Sequence, residues 1–134
     1  MNAPRKRNII LFIDDERICH TLVELIIPNF TDYRLVNAFN GQEAIDLAKR
    51  YSSELCLILS DIVLPDINGY EVFKILRQDE RFAKTPFIFQ SGLAAQEEAL
   101  RNNIFEDIKI IYKPYKQEDL LKSIEKALVG AEEA

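Results

Sequence analysis

The sequence predicts an α/β protein: a three-layer sandwich with helices on both faces of a mostly parallel five-stranded sheet. Two observations carry this. Five short apolar runs alternate with five helical patterns, joined by short loops. The first run is also continuously apolar instead of alternating with polar residues, as expected of a parallel strand covered on both faces. Right-handed crossovers then leave few topologies.

The first run, Asn8 to Ile13, stops at Asp14-Asp15-Glu16. A helix follows with Ile18, Leu22, Leu25 and Ile26 as its apolar stripe, and Pro28 is expected to stop it. Tyr33 to Phe39 reads as the second strand. Asn40 offers an N-cap, with Glu43 as its capping-box partner, and the next helix places Ala44, Ile45 and Ala48 on one face. Cys56 to Ser60 is the third strand, delivering Asp61 to its C-terminal end ahead of a turn-rich segment with Pro65, Asn68 and Gly69. Asn68-Gly69 opens a helix with Val72, Phe73 and Leu76 inward. Phe87 to Gly92 forms the fourth strand, and Ala94 to Asn102 a fourth helix with a thin apolar stripe. Ile108 to Tyr112 is the fifth strand, ending at Lys113-Pro114. Leu120, Leu121, Ile124, Ala127 and Leu128 make the inner face of the last helix, whose first turn carries Glu118 and Asp119 where the dipole favours them.

With 29% charged and 48% hydrophobic residues the composition is globular. The 134 residues make one domain, with a core over about 8–128 and short tails. A net charge of −5 argues against a nucleic-acid surface, and the one basic run, Arg5-Lys6-Arg7, reads as a solvated leader. Cys19 and Cys56 lack metal-ligand spacing and read as small core residues in a reducing compartment. No apolar run approaches the roughly 20 residues of a membrane span, and Asn8 to Ile13 is too short for a signal peptide. The expected location is cytoplasmic, with no membrane contact.

Parallel strands put Asp14-Asp15, Asp61, Ser91 and Lys113 on one sheet edge, where ligand chemistry sits in open α/β sheets. Singly, each has a bland explanation. An acid pair at a helix start usually caps it, an Asp in a turn usually bonds its own backbone, and a lone Ser or Lys is usually just solvated. Jointly, three carboxylates, a hydroxyl and an ammonium exceed what capping requires. Clustered carboxylates make a hard oxygen site suited to Mg2+ (or Mn2+). A carboxylate can then attack phosphorus, and phosphoryl transfer asks only for positioning and charge, which Lys113 and the Ser91 hydroxyl offer.

Asp14-Asp15, then Asp61 followed by Pro65 and Gly69, then Ser91-Gly92, then Lys113-Pro114 stand in the order and spacing of a known family. From Ile9 to Leu128 the chain resembles the receiver domain of two-component response regulators, the chemotaxis-regulator fold. The resemblance implies strand order 2-1-3-4-5, as the fold class of such regulators has. It implies that Asp61 is the phosphoacceptor, charged by a partner histidine kinase or histidine phosphotransfer protein. Asp15 and Asp61 would bind Mg2+ directly, with the Val63 backbone carbonyl as third protein ligand and Asp14 acting through water. Ser91 and Lys113 would close on the phosphoryl group, and the domain would weakly catalyse its own phosphorylation and dephosphorylation without being a metabolic enzyme. The downstream protein target would bind the face of the fourth helix, fifth strand and last helix, with Ala95 to Asn102, Ile110, Tyr112 and Lys116 as candidates.

The sequence departs from the family in places. Ile110 occupies the position of the usual switch aromatic, and the turn Asn103 to Asp107 lacks the usual glycine. Val63 and Leu93, which the resemblance implies would tune the lifetime of the acyl phosphate, are both apolar, so slow dephosphorylation is expected. Ile110 leaves a second reading, a receiver-like interaction module that acts without phosphorylation. A flavodoxin-like cofactor binder would need a phosphate loop where Asp14-Asp15-Glu16 stands. An aspartate-nucleophile phosphatase would need Asp-x-Asp after the first strand and a cap. His20 is expected to be a surface or half-buried structural residue.

Overall fold

The computed structural model describes residues 7–92 and 109–133. Five strands, β1 (Ile9–Ile13), β2 (Arg34–Ala38), β3 (Leu55–Asp61), β4 (Phe87–Ser91) and β5 (Lys109–Tyr112), form one sheet in the order β2-β1-β3-β4-β5. All four pairings are parallel. Three helices lie between strands, α1 (Arg17–Phe30), α2 (Gly41–Arg50) and α3 (Gly69–Arg77), and a C-terminal helix spans Gln117–Glu133. A short 3-10 turn, Glu80–Phe82, was not expected from the sequence and buries Phe82. The predicted helix over Ala94 to Asn102, the turn Asn103 to Asp107, Ile108 and Leu93 lie outside the described residues.

Successive side chains of a strand leave opposite faces, so each central strand feeds two cores. Ile9, Leu11, Ile13, Ile58 and Phe89 pack with Ala44, Ile45, Ala48, Val72 and Leu76 of α2 and α3. Ile10, Phe12, Leu57, Leu59 and Ile88 pack with Val23, Ile26 and Ile27 of α1 and with Leu120 and Ile124 of the C-terminal helix. This double burial is why the runs in β1 and β3 are continuously apolar.

The expected inner faces hold for α2, α3 and the C-terminal helix, but not for α1. There the buried residues are His20, Val23, Ile26 and Ile27, while Ile18 is 76% and Leu25 60% exposed, and Leu22 also faces solvent. Ile18 to Ile27 is so largely apolar that two overlapping stripes fit the helical period. His20 decides between them: its Nε2 lies 2.7 Å from the Asp14 carbonyl oxygen and its Nδ1 2.6 Å from Asn37 Oδ1. It is buried between Phe12 and Phe39, more deeply than a half-buried residue. Pro28 does not stop the helix either. It lies within the last turn, where the Glu24 carbonyl goes without a helical N–H, and the helix continues until Thr31 N–H closes it on the Ile27 carbonyl. Among the described residues no helix is long and apolar enough to cross a membrane.

Candidate functional site

The strand register brings the predicted residues to one edge: Ile13 pairs with Ser60, Asp61 with Gln90 and Ser91 with Tyr112. Asp14 directly follows β1 and is fully buried. Its Oδ1 accepts the Glu16 N–H at 2.9 Å, which turns the chain into α1. Its Oδ2 accepts from Lys113 Nζ at 2.9 Å and from Gln90 Nε2 at 2.7 Å. Asp15 stands exposed beside it. Asp14, Asp15 and Asp61 each offer a carboxylate oxygen, and the three lie within 4.8 Å of one another. An all-carboxylate donor set of this span fits a hard divalent cation.

Asp61 ends β3. Its Oδ1 accepts from the Ile62 N–H at 3.0 Å, and its Oδ2 lies 3.4 Å from Lys113 Nζ. Burial pushes its pKa up to about 6; Lys113 works against this and the Asp14 charge adds to it. Burial also opposes the Lys113 ammonium, but the hydrogen bond to Asp14 and the charges of Asp61 and Asp14 outweigh it and hold the lysine above its usual range. Lys113 is thus a fixed cation shared by two acids.

The loop after Asp61 is anchored at both ends. Gly69 N–H donates to the Ile62 carbonyl at 2.7 Å, and a Cβ on Gly69 would collide with the Asp61 carbonyl oxygen, so only glycine allows this approach. Asn68 Oδ1 caps α3 through the Glu71 N–H at 2.9 Å. Asp66 reaches the start of α2 and accepts from the Gly41 and Gln42 N–H groups, both at 2.8 Å.

The structure therefore brings together Asp14, Asp15, Asp61 and Lys113. Ser91, buried, closes β4 at the same edge, and its carbonyl accepts from the Lys113 N–H at 2.8 Å. Val63 is half-exposed in the loop beyond Asp61. Ile110 packs, partly buried, against the α2/α3 core with Phe89, while Tyr112 lies exposed farther along the strand. Cys56 is a core residue as expected. Cys19 packs half-buried against the α1-side core, its sulfur 3.8 Å from Lys113 Nζ, with burial pushing the thiol up to about 11.

Sequence reasoning missed Gln90 and Tyr115. Gln90 is fully buried, and its Oε1 accepts from the Tyr115 hydroxyl at 2.8 Å. The available signal was one amide inside the apolar run Phe87 to Ser91, where an unpartnered amide would be costly.

Comparison with known proteins adds a consistent result. The model of the response regulator receiver domain matches residues 10–125. The cell cycle response regulator CtrA of Brucella ovis is 32% identical over 115 residues, 86% of this chain and 47% of the relative. The chain thus spans about half the length of the curated relatives it matches. Among solved structures, the Vibrio cholerae chemotaxis protein CheY4 superposes with a TM-score of 0.79 at 23% identity, covering 90% of this chain and 98% of that one. The receiver domain of the sensor histidine kinase PA1611 of Pseudomonas aeruginosa, with a magnesium ion coordinated in its active site cleft, gives 0.78 at 23% identity, covering 90% and 97%. These two likenesses are in fold.

Proposed function

The chain belongs to the response regulator receiver domain family, which serves phosphorylation-based signalling, and from that premise we propose that Asp61 is its phosphoacceptor. The observation that carries this is the meeting of Asp14, Asp15 and Asp61 within 4.8 Å, with Lys113 in reach of both Asp14 and Asp61. A carboxylate oxygen of Asp61 attacks the phosphorus of a phosphohistidine on a histidine kinase or phosphotransfer protein. The P–N bond breaks, an acyl phosphate forms, and the leaving imidazole takes up a proton. Attack by water later returns the Asp61 carboxylate and inorganic phosphate.

Asp15, Asp61 and the Val63 carbonyl would hold Mg2+, with Asp14 behind a water. The bound ion would offset the carboxylate repulsion and bind a phosphoryl oxygen. Lys113 needs only a short swing from Asp61 Oδ2 to a phosphoryl oxygen, and the Ser91 hydroxyl supplies a donor from the neighbouring strand. Self-catalysis is weak because, among the described residues, nothing in the pocket acts as a strong general base. The signal leaves by protein contact at β5 and the C-terminal helix, where Tyr112 is exposed and Ile110 replaces an aromatic.

Acetyl phosphate and Mg2+, followed by intact-mass measurement, test the proposal. One added phosphate, lost on EDTA treatment before the reaction and lost in Asp61→Asn, is expected. No addition to the wild-type chain would favour an interaction module that works without phosphate.

A further inference from the structure

We infer that Gln90 is a positioning residue for Asp14 and that Tyr115 orients it, so that the loop after β5 helps set the affinity of the acid pocket for its cation. The inference rests on the metal reading of the pocket above. Gln90 is 0% exposed, pairs with Asp61 in the β3–β4 register, and bridges Asp14 Oδ2 at 2.7 Å to the Tyr115 hydroxyl at 2.8 Å.

The chemistry of the partners fixes the direction of every bond in this chain. A carboxylate only accepts, so the amide must turn its NH2 toward Asp14. Its carbonyl then faces Tyr115, whose phenol must donate. Burial raises the Tyr115 pKa, which keeps the phenol a donor. An apolar side chain at this buried position, which registers with Ile111 of β5, would avoid the cost of burying an amide, so the amide is explained by what it does for Asp14. Asp14 Oδ2 has Lys113 as its other partner, and Lys113 is shared with Asp61. When Lys113 turns to a phosphoryl oxygen, Gln90 keeps the Asp14 carboxylate in place. Tyr115 packs on the α1 side of the sheet, whereas Ile110 packs on the α2/α3 side. The hydroxyl absent at position 110 therefore has a counterpart on the opposite face.

Mg2+ titration calorimetry on the full chain, with Gln90→Met, Tyr115→Phe and the double variant, tests this. Gln90→Met should weaken Mg2+ binding about tenfold, the low end for loss of an outer partner, because Asp14 meets the ion through a water. Tyr115→Phe should weaken it less, and the double variant should bind no more weakly than Gln90→Met alone, because Tyr115 acts through Gln90. A purely structural role would lower the melting temperature and leave Mg2+ affinity unchanged. Additive losses, or variants that bind like wild type, overturn the relay and leave the metal site standing. A wild-type chain that takes up no Mg2+ overturns both. If Gln90→Met does not fold, Tyr115→Phe decides alone: a severalfold loss supports the relay, and wild-type affinity overturns it.

Discussion

Asp61 ends β3 and Asp66 stands in the loop that follows it, yet the fold treats their carboxylates in opposite ways. Asp66 is exposed and meets the free amides at the start of α2. Burial works against its charge, but the Gln42 and Gly41 N–H groups together outweigh it and hold its pKa below the ordinary carboxylate range. Asp61 is largely buried beside two other acids, with Lys113 as a shared counter-charge, and its pKa stands near 6. One carboxylate is satisfied and holds the loop down. The other is left costly to ionise, and that unmet demand for a counter-charge supports the proposal that it is the reactive one.

The sharpest way to break the contrast is at Gly69, where the loop presses on the Asp61 carbonyl. Gly69→Ala should destabilise the fold by about 3 kcal/mol, because backbone and not a flexible side chain must move. Chemical denaturation measures it.

Asp61→Asn should do the reverse. The folded pKa near 6 lies above the unfolded value of about 3.9, so the folded state holds the proton more tightly. Ionised Asp61 therefore costs stability above pH about 6, on the order of 2–3 kcal/mol, and that cost disappears as pH falls toward about 4. Thermal melts without divalent cations should show Asp61→Asn more stable than wild type near neutral pH and equal to it near pH 4. Mg2+ should narrow the neutral-pH gap by stabilising only the wild type.

Asp66→Ala should cost about 1 kcal/mol, the usual worth of a helix N-terminal acceptor, while leaving the extent of Asp61 phosphorylation unchanged. Val63→Asn should leave stability unaltered, since Val63 is half-exposed, and shorten the lifetime of the phosphorylated form severalfold. Loss of phosphate followed by intact mass reads that rate.

The contrast also explains what the sequence reveals. Asp14-Asp15, Asp61, Ser91 and Lys113 are legible because each interrupts an apolar run at the point where a strand must end, and parallel strands share their ends. The rotation of α1 is not legible, because Ile18 to Ile27 offers two stripes and the choice rests on His20 bonding to Asp14 and Asn37. Gln90 escapes for the opposite reason. Its partners, Asp14 and Tyr115, are distant in sequence and come together only when β1, β4 and the loop after β5 are assembled.

Reductive trapping tests the central claim most directly. Borohydride converts an aspartyl phosphate to homoserine and leaves a free carboxylate untouched. After phosphorylation with acetyl phosphate and Mg2+, peptide mass spectrometry should find homoserine at position 61 and aspartate at positions 14, 15 and 66. Homoserine at any of those three with aspartate retained at 61, or no homoserine at all in the wild-type chain, would contradict the account.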